Sequence, residues 1–111
     1  MEDIMKIVID LDSTITSDRE SIEFLEILTH LLIPDPDYKI IILTDREPGT
    51  EQQVADELDY LGIEYTEIVI TAHKAQYIRD NKIMFYFEDS NFSFSAEKWI
   101  ENKKTAKMID Q

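Results

Sequence analysis

Lys6-Ile7-Val8-Ile9 is an apolar, β-branched run that ends abruptly in two carboxylates, Asp10 and Asp12, one residue apart. Such a run reads as a buried strand rather than a helix, because β-branched side chains fit a pleated surface and the run is too short for a buried helix. The strand is expected over Ile4 to Asp10, with Asp10 at its carboxyl end and Asp12 in the loop beyond. In open α/β sheets that end is where ligands bind. A strand that carries charge only at its last residue therefore predicts both a buried sheet and the rim that bears its chemistry.

The rest of the chain alternates in the same way. Ser17 with Glu20 gives a capping signal, and Ile22, Leu25, Leu28 and Leu32 recur at helical spacing, with Phe24 and Leu31 widening the stripe. A helix is expected from Asp18 to Leu32, stopped by Pro34 and Pro36. Tyr38 to Leu43 is a second buried strand ending at Thr44-Asp45-Arg46. Thr50 with Gln53 opens a second helix whose apolar face is Val54, Leu58 and Leu61 and whose end is Gly62. A third strand is expected over Ile63 to Ile70, a third helix over Ala72 to Asp80, and a fourth strand over Ile83 to Phe87, ending in Glu88-Asp89. Ser95 can cap a helix running through Asn102, and Thr105 to Ile109 reads as a fifth strand. Trp99, Phe85 and Phe87 are expected in the core.

Strands alternating with helices over short connections imply an α/β fold with a mostly parallel sheet of five strands and helices on both faces. All parallel strand ends then share one rim, which collects Asp10 and Asp12, Thr44 and Arg46, and Glu88 and Asp89. At 111 residues the chain is expected to form one domain.

Composition narrows the chemistry. With 24 acidic against 11 basic residues the formal charge is -13, which repels phosphate backbones and argues against a broad nucleic-acid surface or an anionic membrane partner. There is no Cys, so thiol catalysis, disulfides and zinc-thiolate sites are excluded. No stretch approaches the roughly 20 apolar residues of a membrane span, and the start Met-Glu-Asp-Ile-Met-Lys lacks the pattern of an export signal, so a cytoplasmic location is the expectation.

Four segments together resemble the haloacid dehalogenase superfamily of phosphatases and phosphotransferases. Val8-Ile9-Asp10-Leu11-Asp12-Ser13-Thr14 is similar to its first motif, with Ser13 where Gly is commoner. Ile40-Ile41-Ile42-Leu43-Thr44 is similar to the second, and Asp45-Arg46 to the loop that follows it in nucleotidase-like branches. Lys74 matches the lysine that precedes the fourth strand, and Phe85-Tyr86-Phe87-Glu88-Asp89 matches the acidic fourth motif. The order and spacing agree across residues 4 to 90.

The resemblance implies a three-layer, Rossmann-like sandwich and a Mg²⁺-dependent phosphomonoesterase. It makes Asp10 the nucleophile that forms an aspartyl-phosphate, and Asp12 the acid and base for the leaving oxygen and the attacking water. Thr14, Thr44 and Lys74 would bind the phosphoryl group, with Lys39 and Lys82 as alternatives for the lysine. Arg46 stands between a substrate contact and a surface ion pair. The metal ligands would be Asp10, the main-chain carbonyl of Asp12, and Asp89, with Glu88 behind them. The gaps between motifs leave no room for a cap domain, so the resemblance is to the capless class, in which a bulky substrate or a second subunit closes the site. A small phosphate ester such as a nucleotide is the first expectation for substrate. A phosphatase acting on a nucleic-acid end or another macromolecule, and a non-catalytic binding module on the same fold, are the alternatives; the former requires a basic strip near Arg46, Lys74 and Arg79.

Overall fold

A computed structural model of the chain describes residues 4–11 and 19–88. The expected helix over 95–102 and the expected fifth strand over 105–109 lie outside them, as do Asp12, Thr14 and Asp89. Seven elements follow in strict alternation: β1 (Met5–Asp10), α1 (Arg19–Leu32), β2 (Tyr38–Thr44), α2 (Glu51–Leu61), β3 (Glu67–Ile70), α3 (Lys74–Asp80) and β4 (Ile83–Phe87). The strands form one sheet in the order β3-β2-β1-β4, and every neighbouring pair is parallel. The fold is therefore α/β with a parallel sheet flanked by helices. It has four strands among the described residues, where the sequence pattern led to five.

The two faces are covered by different helices, as the alternation of side chains along a strand requires. Ile9, Ile40 and Ile42 pack with Leu25, Leu28 and Leu32 of α1 and with Val54 and Leu58 of α2. Val8, Ile41 and Leu43 pack on the other face with Tyr77 and Ile78 of α3. Val8, Ile9, Ile41, Ile42 and Leu43 are fully buried, so β1 and β2 read as continuous apolar runs because both of their faces are core.

The apolar stripe of α1 is narrower than its sequence suggests. Leu25 is buried and Ser21 and Thr29 are buried beside it, whereas Leu31 is 71% exposed. At Thr29 a polar side chain sits in the core because its hydroxyl finds partners. The Thr29 hydroxyl donates to the Glu26 carbonyl and accepts from the Glu64 N–H, tying α1 to the segment that leaves α2. Asp35 and Asp37 form the turn after α1, where the Asp35 carboxylate accepts from the Asp37 N–H at 2.9 Å.

Two cap expectations part company in α2. Thr50 occupies the N-cap position, yet its hydroxyl donates to the Glu47 carbonyl at 2.8 Å instead of accepting from the first turn. Gly62 behaves as expected, with φ of 76° in the left-handed region, and its N–H reaches the carbonyls of Leu58 and Asp59. An added Cβ there would stand 3.0 Å from the Glu26 side chain. Gly62→Ala should therefore lower stability by about 1–2 kcal/mol through the strained φ alone, read as a lower urea midpoint with an unchanged slope.

β3 begins at Glu67 and not at Ile63, as the apolar pattern suggested. Ile63 is buried, but its N–H is spent on the Leu58 carbonyl and the next N–H on Thr29, so this stretch closes α2 and docks on α1 before the sheet begins. α3 likewise starts two residues later than expected, at Lys74. Phe87 packs on the core as expected, whereas Phe85 is 50% exposed. Among the described residues no helix is long and apolar enough to cross a membrane.

Candidate functional site

The strand order turns at β1. From β1 the chain builds outward through β2 to β3, then α3 returns it to the far side of β1 as β4. At such a reversal the connections leave the two central strands in opposite directions and open a crevice at their carboxyl ends, where ligands bind in open parallel sheets. Asp10 is the last residue of β1 and stands at that reversal.

Asp10 is 5% exposed, the most buried charge among the described residues. A carboxylate held this far from water needs partners, because an unpaired buried charge costs several kcal/mol. It has two. The Lys74 ammonium, from the first residue of α3, donates to Oδ1 at 3.1 Å, and the Tyr86 hydroxyl, from β4, donates to Oδ2 at 3.1 Å. The fold thus brings together Asp10 and Lys74, which lie 64 residues apart in sequence. Of the three lysines considered for this role, Lys74 is the one that reaches Asp10. Lys39 pairs with Glu67 at 3.3 Å at the start of β2, and Lys82 precedes β4 at the same, amino end of the sheet.

Tyr86 is a member of the site that sequence reasoning passed over, since Phe-Tyr-Phe in a strand reads as core. A signal was present in the register: Tyr86 stands opposite Val8, so it shares a sheet face with Val8 and Asp10. Burial first, and then the charges of Asp10 and Glu88 and the hydrogen bonds to them, push its phenol above its ordinary value. It therefore remains a protonated donor throughout the physiological range.

Thr44 is placed at the end of β2, one residue beyond the Leu43 that pairs with Asp10. It is fully buried, its hydroxyl accepts from the Arg46 N–H at 3.3 Å, and its carbonyl accepts from Thr71 at 2.9 Å. These bonds set the turn after β2 and direct Arg46 back over α2. There its guanidinium makes a two-pronged pair with Glu57, at 2.8 and 3.2 Å. Of the two roles expected for Arg46, this is the ion pair. Such a fork is rigid and half-buried, with more geometric specificity than an exposed pair.

Glu88 follows β4 directly and bears on the Tyr86 phenol, so it belongs to the same rim as Asp10. Among the described residues no group of three or more His, Cys, Asp or Glu side chains is arranged to hold a metal. Of the expected metal ligands, Asp10 alone is a described residue. The donors that belong to this rim are carboxylate oxygens in a chain without Cys, a hard donor set that suits Mg²⁺ rather than a soft metal. Comparisons of the chain with models of protein families, with curated proteins and with solved structures found no significant match.

Proposed function

We propose that the chain is a Mg²⁺-dependent phosphomonoesterase of the haloacid dehalogenase type, acting on a small phosphate ester such as a nucleotide. The observation that carries this reading is the buried Asp10 carboxylate at the reversal of the strand order, with Lys74 on one of its oxygens. The first and third of the sequence motifs meet there, and a chance likeness between separated segments gives no reason for them to meet. In this reading the sheet gains 105–109 as a fifth strand in a three-layer, Rossmann-like sandwich that has no cap.

The residues then divide the work. Asp10 attacks phosphorus, forming the aspartyl-phosphate as the bond to the leaving oxygen breaks. Asp12 gives that oxygen its proton, then takes one from the water that releases inorganic phosphate. Lys74, already 3.1 Å from the nucleophile, stands where it meets the oxygens of a phosphoryl group arriving at Asp10, with Thr44 and Thr14 as hydroxyl partners. Asp10, the Asp12 carbonyl and Asp89, with Glu88 behind, would hold Mg²⁺, which would supply the positive charge that lets a carboxylate approach a phosphate dianion. Arg46 in its pair with Glu57 and Lys74 in its pair with Asp10 support a small ester over a macromolecule, since two of the three cations of the required basic strip already have anionic partners.

The test is hydrolysis of an aryl phosphate and a panel of nucleoside monophosphates, with Mg²⁺ and with chelator. Turnover that the chelator abolishes is expected, with little dependence on ionic strength. Absence of both turnover and uptake of trifluoroberyllate, a mimic of the aspartyl-phosphate, would mean a non-catalytic module.

A further inference from the structure

A single contact does not fix a carboxylate. The last torsion of an aspartate is broad and two-fold, so a group held at Oδ1 alone still rocks about its Cβ–Cγ bond. At Asp10 a second donor stands on the other oxygen, 76 residues away in sequence: the Tyr86 hydroxyl, 3.1 Å from Oδ2. The ring that carries it is set by packing with Val8, Ile41 and Leu43 in the core, not by a loop. The choice of donor matters as well. A phenol gives a directional hydrogen bond and adds no charge of its own to the carboxylate.

We infer that Tyr86 is a positioning residue for Asp10, locking the plane of the carboxylate so that it faces the incoming phosphorus in one orientation. The inference rests on the phosphomonoesterase reading. It assigns Tyr86 no contact with substrate, so its loss acts on the chemical step and leaves substrate binding alone. The size of the effect follows from the distance. Short hydrogen bonds from hydroxyl to carboxylate run about 2.5–2.7 Å, and one at 3.1 Å is a weaker restraint, so the loss is tens-fold and not thousands-fold.

The experiment uses the full chain with an aryl phosphate and Mg²⁺, comparing wild type, Tyr86→Phe and Tyr77→Phe. Tyr86→Phe keeps the ring and removes the donor. Tyr77 packs on the same core face, but its hydroxyl bonds to Glu67 at the amino end of the sheet, so its loss controls for structural effects. The expected result is kcat lowered about tenfold in Tyr86→Phe with KM within about twofold, and wild-type kcat in Tyr77→Phe. Wild-type kcat in Tyr86→Phe, a rise in KM in place of the fall in kcat, or an equal loss in Tyr77→Phe overturns the assignment while leaving the phosphatase intact. If the wild type takes up trifluoroberyllate without turning over, the same comparison is made on its dissociation constant: about tenfold weaker binding in Tyr86→Phe supports the assignment and equal binding overturns it. A wild type that neither turns over nor takes up trifluoroberyllate overturns the phosphatase and this assignment together.

Discussion

Asp10→Asn should abolish hydrolysis of an aryl phosphate, by roughly three orders of magnitude or more, while leaving the fold standing. Asparagine has the shape of aspartate and its carbonyl oxygen can still accept from Lys74, so packing and one hydrogen bond survive. What is lost is the negative charge, and with it the proposed nucleophile. Stability should change little, for two reasons. The Lys74 side chain is 23% exposed and can recover hydration, and removing the charge at position 10 relieves repulsion from Glu88, which bears on the same phenol. Circular dichroism and the urea midpoint check the fold, and the initial rate checks the chemistry. Residual turnover within tenfold of wild type would take the nucleophile away from Asp10.

The partner substitution is expected to act the other way. Lys74→Met leaves a carboxylate whose side chain is only 7% exposed without its counter-ion, and that group has no comparable route to water. Removing one member of a buried pair typically costs about 3–5 kcal/mol, and the bond from Tyr86 brings this case just below that range, to about 2–3 kcal/mol. For a chain of this size that lowers the Tm by roughly 10 °C. On the proposed mechanism activity should fall as well, since the same ammonium would serve the phosphoryl oxygens. The double variant Asp10→Asn with Lys74→Met separates the two effects: with no charge left to strand, it should recover much of the lost Tm and none of the activity. An unchanged Tm in Lys74→Met would show that the pair does not hold the site together.

The strands were legible wherever both faces of the sheet are covered. β1 and β2 announce themselves as unbroken β-branched runs because neither has a polar side to show. β4 also fell where its residues suggested, although Phe85 in its middle is half exposed. The start of β3 is hidden because Ile63 is as apolar and as buried as a strand residue, and nothing in its type reveals that its N–H closes a helix. Thr50 shows the same limit at a cap, since position identifies the residue but not the acceptor its hydroxyl finds.

At the site, charge was easier to read than hydrogen bonding. Asp10 stands out because a charged residue at the edge of an apolar element needs a reason, whereas Lys74 is picked out by the family resemblance alone. Choosing Lys74 over Lys39 and Lys82 needed the strand order, which puts the latter two at the amino end of the sheet. Tyr86 is hidden by its neighbours, and only the pairing of β4 against β1 shows which way it faces. Arg46 was ambiguous because the same guanidinium fits a phosphate or a carboxylate, and the acceptor it found, Glu57, lies one helix away.

The order of strands also dictates when this site comes into being. A chain made from its amino end has β1 from the start, but the partners Lys74 and Tyr86 of Asp10 belong to the unit that crosses back over the sheet, 64 and 76 residues later. Until β4 docks, that edge of β1 is open to water and its aspartate stays solvated at no cost. Docking the returning strand therefore buries the charge and neutralises it in the same event. Contacts so distant in sequence tend to be the slow ones to form, so the arrangement around Asp10 is expected to be completed late in folding.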